Sequence, residues 1–79
     1  MKSYTVRIQM EPEEDGRWSA WAPDLPGCAT WGDTQEEALA HIHEAVRGYI
    51  HTLVENGLPI PPEVKTSDEP AVGAVVSAA

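Results

Sequence analysis

Hydrophobic residues occupy every second position near the start of the chain, at Tyr4, Val6, Ile8 and Met10. Polar residues fill the positions between them, which is the period of a strand with one buried face and one solvated face. The acidic turn that follows contains Asp15-Gly16, a pair that suits the positive φ angles of a hairpin. Residues 4–10 and 17–22 are therefore predicted to form an antiparallel hairpin.

The returning strand of this hairpin carries tryptophans on both faces. Trp18 shares a face with Ala20 and Ala22, whereas Trp21 lies on the opposite face. A sheet covered by one helix buries only one of its faces, so we expect at least one large aromatic side chain to stay exposed unless a partner or a second copy covers it. The alternative is that strand edges, bulges and the C-terminal tail bury all three tryptophans, Trp31 included.

A corner rich in proline interrupts the pattern at residues 23–27. Pro23 and Pro26 lack a backbone donor and fix φ, and Gly27 suits a sharp bend, so the corner has a structural role. Residues 28–31 then form a third strand, which Gly32-Asp33 closes. We expect Asp24 and Leu25 to lie at the tip of the corner, where a rigid loop binds a partner with little loss of entropy.

A long amphipathic helix follows the third strand. Thr34 and Glu37 match a capping box, and Gly57 followed by three prolines ends the helix. The apolar stripe between these signals has helical period and consists of Ala38, Leu39, Ile42, Ala45, Val46, Tyr49, Ile50, Leu53 and Val54. This pattern predicts a single helix laid on the sheet.

These elements predict an α+β fold in which one long helix packs on one face of a three- or four-stranded, mainly antiparallel sheet, in the order β-β-β-α-β. A chain of 79 residues forms one domain with a thin core. We assign residues 1–62 to this domain. Residues 63–79 are a polar linker followed by a last edge strand or a frayed tail, and the valines at 72, 75 and 76 favour the strand.

Charge narrows the choice of partners. Thirteen acidic and five basic residues give a net charge of −8, which repels phosphate backbones and favours a basic protein partner. Direct DNA binding is therefore not expected without a partner or an added domain. The single cysteine allows no internal disulfide, and no apolar run is long enough to serve as a signal core or membrane span. We expect a cytoplasmic protein that does not enter a membrane.

No residue cluster indicates catalysis, a metal or a cofactor. Cys28 follows the proline corner in acidic surroundings, which favours a buried structural thiol over a nucleophile. His41 and His43 point to opposite sides of the helix, so the three histidines, His51 included, do not converge on a metal. The carboxylates near strand ends lie in turns and at the helix start, where they have local structural roles, so we do not expect a nuclease.

Four submotifs of this sequence resemble the signature of the HicB-like antitoxins: Pro-Asp-Leu-Pro-Gly-Cys at 23–28, Gly-Asp-Thr at 32–34, Glu-Glu-Ala at 36–38 and Gly-x-x-x-Pro at 57–61. The resemblance covers roughly residues 4–62. It implies a partial ribonuclease-H-like fold and a protein that silences a small, basic, mRNA-cleaving toxin of the HicA type. Many members carry a C-terminal DNA-binding module, whereas only seventeen residues with a single lysine follow Pro62 here.

The sequence thus predicts a non-catalytic antitoxin whose acidic surface occludes a HicA-like toxin. The alternative is an orphan HicB-like protein that forms a homo-oligomer, a dimer or tetramer, and binds an unknown ligand. A transcriptional repressor would need a basic strand or helix that the sequence lacks.

Two sets of residues carry these predictions. The predicted partner contacts are Asp15, Trp18, Trp21, Asp24, Leu25, Pro26 and Trp31. The predicted structural residues are Pro23, Gly27, Cys28, Gly32, Asp33, Thr34, Glu37 and Gly57.

Overall fold

A computed structural model describes residues 3–67 and 75–78 of the chain. In chain order the strands and the helix are β1 (Ser3–Thr5), β2 (Arg7–Pro12), β3 (Trp18–Trp21), β4 (Ala29–Gly32), α1 (Gln35–Glu55), β5 (Lys65–Ser67) and β6 (Val75–Ala78). This is the predicted α+β class, with one long helix on one face of a mainly antiparallel sheet.

The main sheet has four strands in the order β4-β3-β2-β6. β2 pairs antiparallel with β3, and β3 pairs antiparallel with β4. β6 pairs parallel with β2, with Arg7 opposite Val75. The C-terminal strand favoured by the sequence is therefore present at Val75–Ala78 at one edge of the sheet, while residue 72 lies outside the described residues.

The prediction of one continuous strand at residues 4–10 was wrong. The chain forms two strands, β1 and β2, separated at the buried residue Val6. β1 leaves the main sheet and pairs antiparallel with β5, Tyr4 opposite Thr66, in a separate two-stranded sheet. Part of the segment predicted as a polar linker therefore forms β5, a strand with no periodic signal of its own.

The hydrophobic core lies between α1 and one face of the main sheet. The helix contributes residues at four-residue spacing, and the sheet contributes alternate positions of β2 and β3. The buried residues are Val6, Ile8, Met10, Ala20, Ala22, Leu25, Cys28, Ala38, Ile42, Val46, Ile50 and Val64. Val54, at the end of the predicted apolar stripe, is instead 55 % exposed.

Both ends of α1 are capped as the sequence predicts. The Thr34 hydroxyl accepts a hydrogen bond of 3.1 Å from the Glu37 amide, which is one half of the predicted capping box. At the other end the Gly57 amide donates to the Val54 carbonyl and the Leu58 amide donates to the Leu53 carbonyl. These two bonds form a Schellman motif, for which the positive φ of Gly57, 66°, is required.

Gly32 joins the sheet to the start of the helix. A Cβ atom at this position would meet the Ala38 backbone nitrogen and lie 2.9 Å from the Ala38 Cα and the Glu37 carbonyl carbon. Only a residue without a side chain lets the first turn of α1 approach β4 this closely. The helix is thereby fixed over β4.

Candidate functional site

The face of the main sheet opposite α1 has two rows of side chains that run across the strands. In one row Glu11 lies opposite Ser19, which lies opposite Trp31; in the other row Gln9 lies opposite Trp21, which lies opposite Ala29. These positions alternate with the core positions Met10 and Ala20, so they point away from the helix. We call the six residues the open face.

Trp31 is the main exposed aromatic group of the open face. Its side chain is 52 % exposed, whereas Trp21 is half-buried and Trp18 packs from the other side of the sheet against the core. The expectation that at least one tryptophan stays exposed in the isolated chain is therefore met at Trp31. Trp18, also predicted to contact a partner, is half-buried at the edge of the core.

The β2–β3 turn orients a cation over Trp31. The Arg17 guanidinium carbon lies 4.9 Å from the centroid of the Trp31 ring, within the range of a cation–π contact. Asp15 holds this arginine, since it accepts a 2.8 Å bond from Arg17 Nε and a 3.0 Å bond from the Arg17 amide. The bond from the Arg17 amide, and after it the bond from the Arg17 side chain, lowers the pKa of Asp15. The turn is therefore ordered around an ionised carboxylate.

A shallow hollow of about 730 Å³ lies between this turn and Trp31. Four carboxylates and one guanidinium line it, so its charge is strongly negative. Inside it the Ser19 hydroxyl donates to the Glu13 carboxylate, which fixes one acidic side chain. The lining residues are Glu11, Pro12, Glu13, Glu14, Asp15, Arg17, Ser19 and Trp31.

Sequence reasoning placed Asp15 and Trp31 in this region but missed Glu11 and Glu13. A two-residue Asp15-Gly16 turn would put Glu11 opposite Ala20. The loop has three residues instead, 14–16, closed by the Glu13 amide on the Arg17 carbonyl, and this shifts the register by one residue so that Glu11 lies opposite Ser19. The approach of Arg17 to Trp31 depends in addition on the pairing of β3 with β4, which no local pattern encodes.

The proline corner is folded inward, and the prediction that Leu25 lies at its tip was wrong. Leu25 is 1 % exposed and belongs to the core. The Leu25 amide donates to the Ala22 carbonyl, and the Leu25 carbonyl accepts from the Cys28 amide, both at 3.0 Å. The loop held by these bonds places the Leu25 side chain in the core. Leu25 in the free chain is therefore a core residue and offers no contact surface.

Asp24 is also engaged within the chain. Its two carboxylate oxygens accept bonds of 3.0 and 2.8 Å from Arg7 Nε and Nη2, and its side chain is only 7 % exposed. These hydrogen bonds and the charge of Arg7 hold the pKa of Asp24 below its ordinary value. Asp24 thus ties the corner to β2, and among the predicted contacts of the corner Pro26 is exposed.

The predicted structural thiol is buried. Cys28 contributes to the core, and burial raises the pKa of its thiol, which lowers its reactivity. Of the histidines, His41 places Nδ1 2.8 Å from the Trp31 carbonyl oxygen and His51 lies 3.1 Å from Glu55. Within residues 3–67 and 75–78, no three His, Cys, Asp or Glu side chains are grouped so that they could hold a metal ion.

A family profile matches residues 4–72, and its description is a HicB-like antitoxin of a bacterial toxin-antitoxin system. The chain belongs to the HicB-like antitoxin family. A UPF0150 protein of Synechocystis sp. is 42 % identical over 60 residues, 76 % of each chain. A UPF0150 protein of Thermoplasma acidophilum is 47 % identical over 58 residues, 73 % of this chain and 81 % of that protein.

This member of the HicB-like family has the fold of a solved HicB domain. The N-terminal domain of the Burkholderia pseudomallei antitoxin HicB aligns with a TM-score of 0.63 over 89 % of this chain and 99 % of that domain, at 22 % identity. The open face and the corner therefore belong to a HicB-type domain. In the described part of the chain, no helix is long and apolar enough to cross a membrane.

Proposed function

We propose that this protein is a non-catalytic antitoxin that binds a small, basic, mRNA-cleaving toxin of the HicA type and covers its RNA-binding face. Family membership supports the class of partner. The observation that carries the choice of surface is the acidic hollow beside the half-exposed Trp31. An mRNA-cleaving partner would place the pair in the cytoplasm.

The charge of the surface supports occlusion of an RNA-binding protein. A toxin that grips RNA presents cations to phosphates, and the four carboxylates of the hollow offer those cations an alternative anionic partner. Charge complementarity of this kind speeds association more than it adds affinity. Desolvation of Trp31 would supply the apolar part of the binding free energy, as buried tryptophans do at other interfaces.

The proposal is tested by co-expression with a HicA-like toxin encoded beside this chain, followed by purification through a tag on one protein. A stoichiometric complex that protects RNA from cleavage is expected. If no complex forms and the toxin stays active, the antitoxin proposal is wrong for this protein.

Matched variants test the surface. Trp31→Ala should weaken toxin binding at least tenfold, whereas Val54→Ala, which removes side-chain volume at a residue of similar exposure on the helix, should leave it unchanged. Glu11→Gln/Glu14→Gln should slow association and reduce its dependence on salt, and Glu44→Gln/Glu55→Gln on α1 is the control of equal charge. Equal effects of both pairs would mean that net charge alone, and not the hollow, guides the toxin.

An orphan homo-oligomer is the second candidate, favoured by the exposure of Trp31 and the position of β4 at the edge of the sheet. The charge of −8 on each copy opposes it. Sedimentation velocity separates the two: a dimer or tetramer that buries Trp31 at micromolar concentration and ignores the toxin would favour the orphan oligomer. The same net charge disfavours direct DNA binding by this chain.

A further inference from the structure

The outer side of β4 offers backbone hydrogen-bonding groups that the sheet leaves without a strand. The Ala22 amide donates to the Cys28 carbonyl, and hydrogen-bonded pairs alternate along an antiparallel ladder. Thr30 and Gly32 therefore bond toward β3, while Ala29 and Trp31 direct their amides and carbonyls outward. In the part of the chain that the structure describes, no strand pairs with this side of β4.

His41 contacts one of the outward-directed backbone groups: its Nδ1 lies 2.8 Å from the Trp31 carbonyl oxygen. The Ala29 amide, the Ala29 carbonyl and the Trp31 amide remain on that edge. These three groups can form backbone hydrogen bonds with a short added strand. The edge is thus suited to β-strand addition centred on Ala29.

An open apolar groove of about 320 Å³ lies beside Ala29, between β4 and the second half of α1. It is about twice the volume of a cavity that holds a benzene molecule, so it can receive an aliphatic or aromatic side chain. Small residues form much of its wall. The lining residues are Gly27, Cys28, Ala29, Ala45, Gly48, Tyr49, Thr52 and Leu53.

Gly48 has no structural reason to be glycine. It lies in the interior of α1, where glycine costs about 1 kcal/mol relative to alanine. A Cβ atom at this position would have no heavy atom within 4 Å, so no neighbour demands its absence. The absence of a side chain at Gly48 keeps the groove open. A glycine that destabilises a helix without a compensating structural role indicates a binding surface.

The two sides of the β4 edge differ in chemistry. Side chains of a strand added to β4 alternate between the helix side, where the apolar groove lies, and the side of Trp31, where the acidic hollow lies. We propose that an extended segment of the basic partner pairs with the outer side of β4, with an apolar side chain in the groove and a neighbouring arginine or lysine beside Trp31. This inference rests on the proposed function, since it names how the toxin would dock.

Charge decides between the partner and a second copy of this chain. A second β4 would bring another four carboxylates toward the first hollow, whereas a basic segment neutralises it.

The test uses an end-blocked peptide of alternating valine and arginine as the probe, with alternating valine and glutamate as the control, on the full chain. Amide exchange at Ala29 and Trp31, followed by NMR, should slow at least tenfold with the arginine peptide. Exchange at Thr30, which already bonds to β3, should stay unchanged. Unaltered exchange at Ala29 and Trp31 at millimolar peptide would overturn the inference, and so would protection without peptide that grows with protein concentration, because a second copy would then occupy the edge.

Two variants, each with a matched control, isolate the contributions of the groove and the edge. Gly48→Leu fills the groove and should weaken the peptide at least tenfold, while Ala40→Leu adds the same side chain at an exposed helix position outside the groove and should not. Ala29→Pro removes an outward donor and should abolish the protection of Trp31, whereas Ala29→Thr keeps the donor and should not. Normal peptide binding by a folded Gly48→Leu or Ala29→Pro protein would refute the docking mode.

The toxin complex provides the final comparison. If the toxin binds and the Ala29 and Trp31 amides exchange as in the free chain, the antitoxin role stands and this docking mode is wrong. If the toxin does not bind while the peptide protects both amides, the edge site stands and the antitoxin role is wrong.

Discussion

The contact between Gly32 and the start of α1 makes a sharp prediction about stability. Gly32→Ala places a methyl group against the Ala38 backbone, with two further backbone atoms at 2.9 Å, and backbone atoms of a capped helix cannot move aside as a flexible side chain would. The helix must therefore shift off β4, which is the strand that α1 covers most closely. Gly48→Ala is the matched control, because the same methyl group meets nothing within 4 Å.

The expected free energies have opposite signs. Overpacking of a well-packed site costs about 1–3 kcal/mol or more, and the rigid neighbours put Gly32→Ala at about 3 kcal/mol of lost stability. A domain of this length has a total stability of roughly 4–12 kcal/mol, so the loss is a large fraction of it. Gly48→Ala should instead stabilise the protein by about 0.5–1 kcal/mol through helix propensity.

Urea unfolding followed by circular dichroism and tryptophan fluorescence measures both changes. We expect midpoints that move in opposite directions, with a difference of about 3–4 kcal/mol between the two variants and unchanged urea dependence of the free energy. A Gly32→Ala protein within about 0.5 kcal/mol of the parent would refute the close approach of helix and strand.

Three further predictions concern the cap, the corner and the thiol. Thr34→Ala removes the acceptor for the Glu37 amide and should cost about 1 kcal/mol in urea unfolding, and an unchanged midpoint would mean that water replaces the cap. Asp24→Asn removes the partner of Arg7; because the pKa of Asp24 is lowered in the folded state, the pair stabilises the fold fully above about pH 4 and loses its effect in more acid solution. The stability gap between parent and variant should thus be present at pH 7 and close as the pH falls through the lowered pKa of Asp24, and a gap that persists once this carboxyl is protonated would contradict the assignment. Cys28 should react with iodoacetamide at least about tenfold more slowly in the folded than in the urea-unfolded chain, measured by mass spectrometry, since burial raises the pKa of its thiol, and equal rates would place the thiol at the surface.

The elements predicted well are those with local, periodic signals. α1 has a cap, an apolar stripe and a glycine stop within one segment, and its bounds follow from them. The hairpin follows likewise from alternation and Asp15-Gly16. The failures are non-local: alternation continues through Val6, so nothing in the segment itself reveals that β1 leaves to pair with β5.

The candidate site was predicted in part for the same reason. Trp31 could be placed on an exposed face from strand parity, but the position of Arg17 over its ring depends on the register of three strands. Leu25 was misassigned because a leucine between prolines has no periodic neighbours that reveal its direction. The pairing of Asp24 with Arg7 joins residues seventeen positions apart, which no local pattern encodes.

The position of β6 has a consequence for synthesis on the ribosome. β2, β3, β4 and α1 lie within residues 7–55, so their contacts can form on the nascent chain before residues 75–78 emerge. β6 then closes the outer side of β2 as the last step, in a parallel pairing between the two ends of the sequence. A chain truncated before Val75 would keep the hairpin, the corner and the helix, yet expose the edge of its central strand.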